Sequence, residues 1–300
     1  MMDVSQTYGK WRGILCELGV PENFLSPKQG PCPMCGGKTR YRFDDKEGKG
    51  TWICNGCGAG DGFKLLEKMF HWDFKTSIEN IKKIIGGVER KEPRRMQTDE
   101  QSKESLRALY KQSEPVVFAD FVDKYLTSRG LEIRSDALRK INSCRSSRGQ
   151  MFPAMLAIMS DVEGKPCTMH RTYIKNGKKA EIESPRELMP GKVPEGAAVR
   201  LMEPGINLGI AEGIETALAA SQIFKIPVWA ALNATLLEKW TPPIKSTNIF
   251  IFGDNDESYA GQKSAYTLGY KLRMKKISAT VFLPKETGTD WNDELLRKTL

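Results

Sequence analysis

Four cysteines stand in two tight pairs, Cys32-x2-Cys35 and Cys54-x2-Cys57, with 18 residues between the pairs. A C-x2-C turn presents two thiolates from one knuckle. Two knuckles complete a tetrahedron of soft ligands that suits one Zn²⁺ and leaves no position open for water. The spacing therefore predicts a structural zinc site, in a domain so small that the metal must hold it folded. His71, 14 residues beyond Cys57, is expected on a helix face and not among the ligands. Cys16, Cys144 and Cys167 are scattered and read as small buried hydrophobes of a reducing compartment.

A second group of residues is acidic. Glu212 ends the apolar run LGIAEG, and Asp254 and Asp256 end NIFIFGDND. In an open parallel sheet, ligands bind off the carboxyl ends of the strands. If these two strands are neighbours, three carboxylates converge there and repel one another unless divalent cations neutralise them. Oxygen ligands in a chain with 2 histidines favour Mg²⁺ or Mn²⁺ over zinc. Two such ions suit phosphoryl transfer. The alternative is that each acid simply caps the start of a following helix. Asp290, in TDWNDE beside Asp293, is either a further metal contact or the cap of the last helix. Glu215, one turn beyond Glu212, either faces the same cleft or, the simpler reading, is solvated helix surface.

Basic residues form a third group. Lys38, Arg40 and Arg42 alternate with Tyr41 and Phe43 between the cysteine pairs. That pattern fits a ribbon with one packed aromatic face and one solvated basic face. It equally fits a platform for single-stranded DNA, with cations on phosphates and rings on bases. Arg134, Arg139, Lys140, Arg145 and Arg148 follow, and then the run Lys165 to Lys179 holds Arg171, Lys175 and Lys178 with no acid. Net charge is +9, and the excess lies in the first two thirds: Lys+Arg against Asp+Glu is 17 to 12 for 1–95, 18 to 15 for 96–206, and 11 to 10 for 207–300. A positive field favours a polyanionic partner.

The elements that must position these groups are legible in outline. Trp11, Ile14, Leu15 and Leu18 recur at helical spacing before the knuckles. DGFKLLEKMFHWDFKTSIENIKKIIGG reads as one or two amphipathic helices stopped at Gly86-Gly87. These make a zinc-binding domain of residues 1–90. The polar stretch 91–105 reads as a linker. Residues 106–205 form a mixed α/β unit. It has a helix near 118–129, a short helical stretch carrying Arg134, Arg139 and Lys140, and two strands in MFPAMLAIMSD and TMHRTYI. Asn176-Gly177 is a hairpin turn. From 206 to 300, strands and helices alternate, which predicts a mostly parallel, Rossmann-like sheet. The fold class is therefore α/β multidomain. No run of about 18 apolar residues suggests a membrane span. The N-terminus has no apolar core before a cleavage site, so a cytoplasmic protein without membrane contact is expected.

At this point the motifs carry a resemblance. PCPMCGGKTRYRFDD and GTWICNGCGAGDG resemble the zinc-binding domain of DNA primases of the phage and plasmid kind. AEGIETAL, GDND and DWND together resemble a TOPRIM domain, the catalytic fold shared by bacterial-type primases, topoisomerases and some nucleases. TMHRTYIKNGKKA resembles the stretch before TOPRIM in these primases. The matches reach from about residue 10 to 295. The resemblance implies a DnaG-type primase, a nucleotidyltransferase that makes short RNA primers from NTPs on a single-stranded DNA template. Glu212 matches the TOPRIM glutamate, and Asp254 and Asp256 its DxD pair, holding Mg²⁺. Lys38, Arg40, Arg42, Arg139, Lys140, Arg171, Lys175, Lys178 and Lys179 become candidates for nucleotide or template contact, Arg171 and Lys179 foremost. Thr216 stands where many primases carry a further acid, with Glu215 just before it. No GxxxxGK[ST] loop occurs, so a replicative helicase is expected as a separate partner. The alternatives are a TOPRIM nuclease and a non-catalytic single-stranded-DNA-binding accessory protein.

Overall fold

The computed structural model describes residues 3–89 and 99–299. The chain divides between residues 96 and 97 into two compact units.

In the first unit, helix α1 (Trp11–Glu17) precedes four short strands, β1 (Gly30–Cys32), β2 (Gly36–Phe43), β3 (Trp52–Cys54) and β4 (Gly58–Gly60). They form an antiparallel meander in the order β1-β2-β3-β4. Helices α2 (Gly62–Phe70) and α3 (Phe74–Ile84) follow. Asp61 caps α2 by accepting from the Lys64 amide at 2.9 Å, and Asp73 caps α3 through the Thr76 amide at 2.7 Å. Between them His71 turns the chain with φ 57°, exposed and away from the cysteines. Trp11, Ile14, Leu15, Leu65, Leu66 and Ile81 close on Tyr41, Phe43 and Trp52 as one core. Gly62 is required at the contact with the Trp11 ring, since a Cβ there would lie 2.1 Å from Trp11 Cε3. Cys16 faces outward on α1, contrary to the expectation of burial, whereas Cys144 in the second unit is buried.

The second unit opens with α4 (Asp99–Gln112), so the C-terminal part of the expected linker is helical; residues 90–98 lie outside the described residues. The helix was hidden in the sequence because few of its side chains are apolar. Leu106 and Leu109 dock it against Ile141, Leu156 and Tyr173. Then come β5 (Glu114–Pro115), α5 (Phe121–Ser128), β6 (Leu138–Arg145), β7 (Met151–Ser160), β8 (Pro166–Lys175), β9 (Lys178–Lys179), β10 (Arg186–Leu188) and β11 (Ala198–Val199). Arg139 and Lys140 are therefore on a strand, not on the helical stretch expected; Leu138, Ile141 and Cys144 are buried there by pairing with β7, which overrides local preference. The chain continues through β12 (Asn207–Ala211), α6 (Ile214–Phe224), β13 (Val228–Ala230), α7 (Ala234–Glu238), β14 (Asn248–Phe252), α8 (Ala260–Met274), β15 (Ser278–Phe282) and α9 (Trp291–Thr299).

Strands β13-β12-β14-β15 are parallel, the architecture expected from the alternation. The two anticipated regions, 106–205 and 206–300, share one 11-stranded sheet. The seam is β11, antiparallel to β7 on one side and to β13 on the other. Leu126, Ala217, Leu218, Phe252 and Leu295 belong to the core on one face. Ile210, Trp229, Trp240, Ile251 and Leu268 build the other, under α7 and α8. Among the described residues, no helix is long and apolar enough to cross a membrane.

Candidate active site and metal centres

The knuckles bring all four cysteines together. Their sulfurs lie within 4.8 Å of one another, with Cys32 and Cys57 3.8 Å apart and Cys35 and Cys54 3.6 Å apart. A tetrahedral zinc with Zn–S bonds near 2.3 Å needs edges of about 3.8 Å, so the cluster fits the ion. Backbone amides of Met34 and of Gly56 and Cys57 point at the Cys32 and Cys54 sulfurs, at 3.4 Å in each case, and favour thiolate charge. Arg40 lies over this site. With the neighbouring cysteines it helps to lower the Cys35 thiol, and a Cβ on Gly37 would come 2.3 Å from its Nε. Arg42 is paired with Asp44 at 2.7 Å, while Lys38 is exposed. Tyr41 and Phe43 are buried, so the ribbon has a packed aromatic face and a basic outer one.

The acidic site arises from strand register. Ala211 on β12 is directly opposite Phe252 on β14, so Glu212 and the Gly253-Asp254 step leave adjacent strand ends side by side. Asn255 then makes a bridge to Thr289, donating its amide to the Thr289 carbonyl at 3.0 Å, which draws the start of α9 alongside. Its side chain donates to the Pro284 carbonyl and accepts from Gln262. Asn255 is thus the pin that brings Asp290 to the cluster, a role that nothing in the sequence motif announced. Asp290 also caps α9, its Oδ1 accepting from the amides of Asn292 and Asp293. The two readings of Asp290 are compatible: one oxygen caps while the carboxylate still repels Asp254.

Electrostatics set these acids apart. Burial pushes Asp254 up to about 8, and repulsion from Glu212, Asp290 and Asp256 adds to it. Glu212 is raised by burial and by Asp256, opposed by Arg186 and by the Ala234 amide. Asp290 is raised by burial, against the amides that it caps. Asp254 Oδ1 is buried with no hydrogen-bond partner among the described residues. Asp256 Oδ2 accepts from the Gly261 amide at 2.8 Å. A buried, unpartnered carboxylate oxygen that feels the charge of three further carboxylates suits a hard divalent cation, although among the described residues only the four cysteines stand within ligand reach of one another.

Glu215 is not the solvated residue expected. It is buried on α6, accepting from the Tyr125 hydroxyl and paired with Lys179 at 2.9 Å. Burial alone would raise it, but the Lys179 charge, the bonds from Tyr125 and Lys179, and Arg186 hold it down at about 2. Beside it His170 is buried, with Nδ1 unpartnered among the described residues, and burial lowers it to about 4.

The basic candidates separate by partner. Arg171 is 12% exposed and bonded to Glu187 at 2.9 Å and to the Arg145 carbonyl, so the fold already supplies partners for its charge. Arg139 is likewise structural, held by Ser113 and stacked on Tyr110. Lys140 sits between Glu114 and Asp120. Arg134 pairs with Asp123, and Arg148 with Glu183. Lys179 is partly exposed but neutralised by Glu215. Lys175 and Lys178, at the β8–β9 hairpin, remain exposed without an ion pair among the described residues. Arg186 was missed. It lies in SPREL, a segment with no motif, and reaches the acids only because β10 pairs with β8 at Thr172. It is exposed, has no ion pair among the described residues, and its charge acts on Glu212, Asp254 and Glu215 together.

Residues 27–63 match the family described as the zinc-binding domain of primase-helicase, and residues 207–299 match the Toprim domain. The chain joins a primase-type zinc-binding domain to a Toprim domain. Between them, residues 100–201 match a domain of unknown function. Solved structures that resemble the chain include a DNA primase domain from Pseudomonas aeruginosa, at 12% identity over 66% of this chain and 75% of that one, TM-score 0.45. Another is the primase fragment of the bacteriophage T7 primase-helicase, at 13% identity over 91% and 98%, TM-score 0.37. The Aquifex aeolicus primase, with zinc-binding and RNA polymerase domains, shows 14% identity over 99% and 85%, TM-score 0.36. The acids Glu212, Asp254, Asp256 and Asp290 all fall within the Toprim match, and the four cysteines within the zinc-binding match.

Proposed function

We propose that the protein is a DNA primase of the DnaG type, joining ribonucleotides into short primers on a single-stranded DNA template during replication of a phage or plasmid. The observation that carries this is the carboxylate cluster at the strand ends of the Toprim domain, with Asp254 Oδ1 buried and unpartnered among the described residues. Glu212, Asp254 and Asp256, with Asp290, would hold Mg²⁺ or Mn²⁺. Two such ions, when bound, supply charge stabilisation for the attacking primer oxygen and for the leaving pyrophosphate. The chain's own residues do the rest. Asn255 holds the Asp254 and Asp290 segments together. Arg186, exposed and without an ion pair among the described residues, offers a guanidinium whose charge reaches the acids, suited to a triphosphate. Lys175 and Lys178 extend the same sign of charge along the hairpin for template phosphates. The zinc-binding domain, with Lys38 and Arg40 exposed on its outer face, selects the template. A separate helicase would deliver that template.

Primer synthesis tests this. Protein, mixed-sequence single-stranded DNA, Mg²⁺ or Mn²⁺ and labelled NTPs should yield short labelled products from the wild type and none from Asp254→Ala/Asp256→Ala. Cleaved DNA would instead make it a nuclease. Intact, bound DNA with no product would make it a binding accessory.

A further inference from the structure

Helix α8 runs away from the acidic site with its inner side in the core and an unusual outer side. Tyr259, Tyr266 and Tyr270 are 72%, 58% and 67% exposed, and Met274 is 67% exposed. At 100° per residue, Lys263, Tyr266, Tyr270, Arg273 and Met274 share one face about 100° wide, with Tyr259 just ahead of the helix. None of the three rings has a ring partner among the described residues. The segment 259–276 carries five basic residues and no acid. Lys263 meets Glu238 from α7 at 2.8 Å but keeps 71% of its side chain in solvent, and such surface pairs are weak. Arg273 is anchored only by Nε, to the Ala279 carbonyl at 2.9 Å.

Position adds a second observation. Tyr259 follows Asp256 by three residues, its amide donating to the Asp256 carbonyl at 3.1 Å. It adopts φ 59°, a conformation costly for an aromatic residue, and its side chain makes no capping bond that would explain it. The turn thus places an exposed aromatic residue three positions after Asp256, at the head of the stripe.

We infer that the outer face of α8 is a binding track for a single-stranded polynucleotide, which leads to or from the acidic site. Rings with neighbouring cations and no acid suit bases and phosphates. Tyrosine, methionine and arginine also serve protein interfaces, but four of the five cations of this segment are lysines, which protein interfaces deplete and phosphates attract. The rings are about 10 Å and about 6 Å apart along the axis, roughly one to three nucleotide steps. This goes beyond the proposed activity, which requires only that template reach the acids, and it can be tested without turnover.

The test is photo-crosslinking of the full-length protein to an oligo(dT) carrying 5-iododeoxyuridine, without added divalent metal, with the adducts mapped by mass spectrometry. Adducts are expected on Tyr266 and Tyr270. Tyr266→Ala/Tyr270→Ala should lose them and bind oligo(dT) about tenfold or more weakly at unchanged melting temperature. An oligo(U) arm shows which strand uses the face: adducts with DNA only assign it the template, and adducts with RNA assign it the product. Adducts confined to other segments, with unchanged affinity of the double variant, would overturn the inference. So would a double variant that binds oligo(dT) normally but loses self-association or helicase binding. A wild type that makes no primer yet crosslinks at these tyrosines would overturn the primase reading and leave the track standing.

Discussion

Glu212 and Glu215 lie three residues apart, on either side of one strand-to-helix turn, yet their carboxylates meet opposite surroundings. Glu215 is buried against an ammonium and a hydroxyl, and it is held ionised. Glu212 and its neighbour Asp254 are partly buried within the field of other carboxylates, and both are raised above the usual carboxylate range. One site has been neutralised by the fold. The other has been left short of positive charge, although a lysine lies within the same hairpin and helix contact. Unrelieved repulsion at the strand ends is the arrangement that the proposed cations would neutralise.

The comparison breaks most readily at the acids. Asp254→Ala/Asp256→Ala should cut primer synthesis by about a thousandfold or more, while zinc content, read by metal analysis, stays at one ion per chain. A variant that kept activity would show that the cluster holds no essential cation.

Next in size is Glu215→Gln. Removing one partner of a buried pair should cost about 3 kcal/mol at pH 7, read by urea unfolding. Because Glu215 is lowered to about 2, its contribution is full above the ordinary glutamate value and is lost as pH falls toward about 2. The gap between variant and wild type should therefore shrink in acid. A gap that stayed constant would mean that packing, not charge, holds the residue.

Asp254→Asn should act with the opposite sign. The native carboxyl stays protonated up to about 8, whereas the unfolded one ionises from about 4, so the metal-free protein loses stability as pH rises between them. The variant should gain about 1–2 kcal/mol at pH 8 and nothing at pH 4, and Mg²⁺ should narrow the gain by stabilising the wild type alone. Thermal melts with and without Mg²⁺ decide it.

The smallest expected effect sharpens the contrast. Arg186→Ala should raise the KM for NTP about tenfold with kcat little changed, and shift stability by less than about 0.5 kcal/mol. A large stability loss would place Arg186 with Glu215 as part of the structure.

Much of this was open to reading in advance. Two C-x2-C pairs prescribe their own geometry, and the strand–helix rhythm after residue 206 delivers Glu212 and Asp254 to adjacent strand ends. What escaped depends on partners distant in the chain. Glu215 is buried by Tyr125 and Lys179, residues from α5 and β9 that no local pattern links to α6. Arg171 looked like a free cation because its partner Glu187 comes from β10 across the sheet. Arg139 and Lys140 looked helical because the pairing with β7 that straightens them is not a local property. Helix α4 passed for a linker because it needs little more than two leucines to dock.

The strand Ala198–Val199 is two residues long, yet it is paired on both edges, to β7 and to β13. It joins the region bearing Lys179 and Arg186 to the one bearing the acids in one sheet, so the spacing between those cations and carboxylates is set when the sheet forms. Under the proposed activity, an incoming nucleotide would be selected by how well its base pair and phosphates span that gauge, much as a workpiece is checked against a caliper locked at one width.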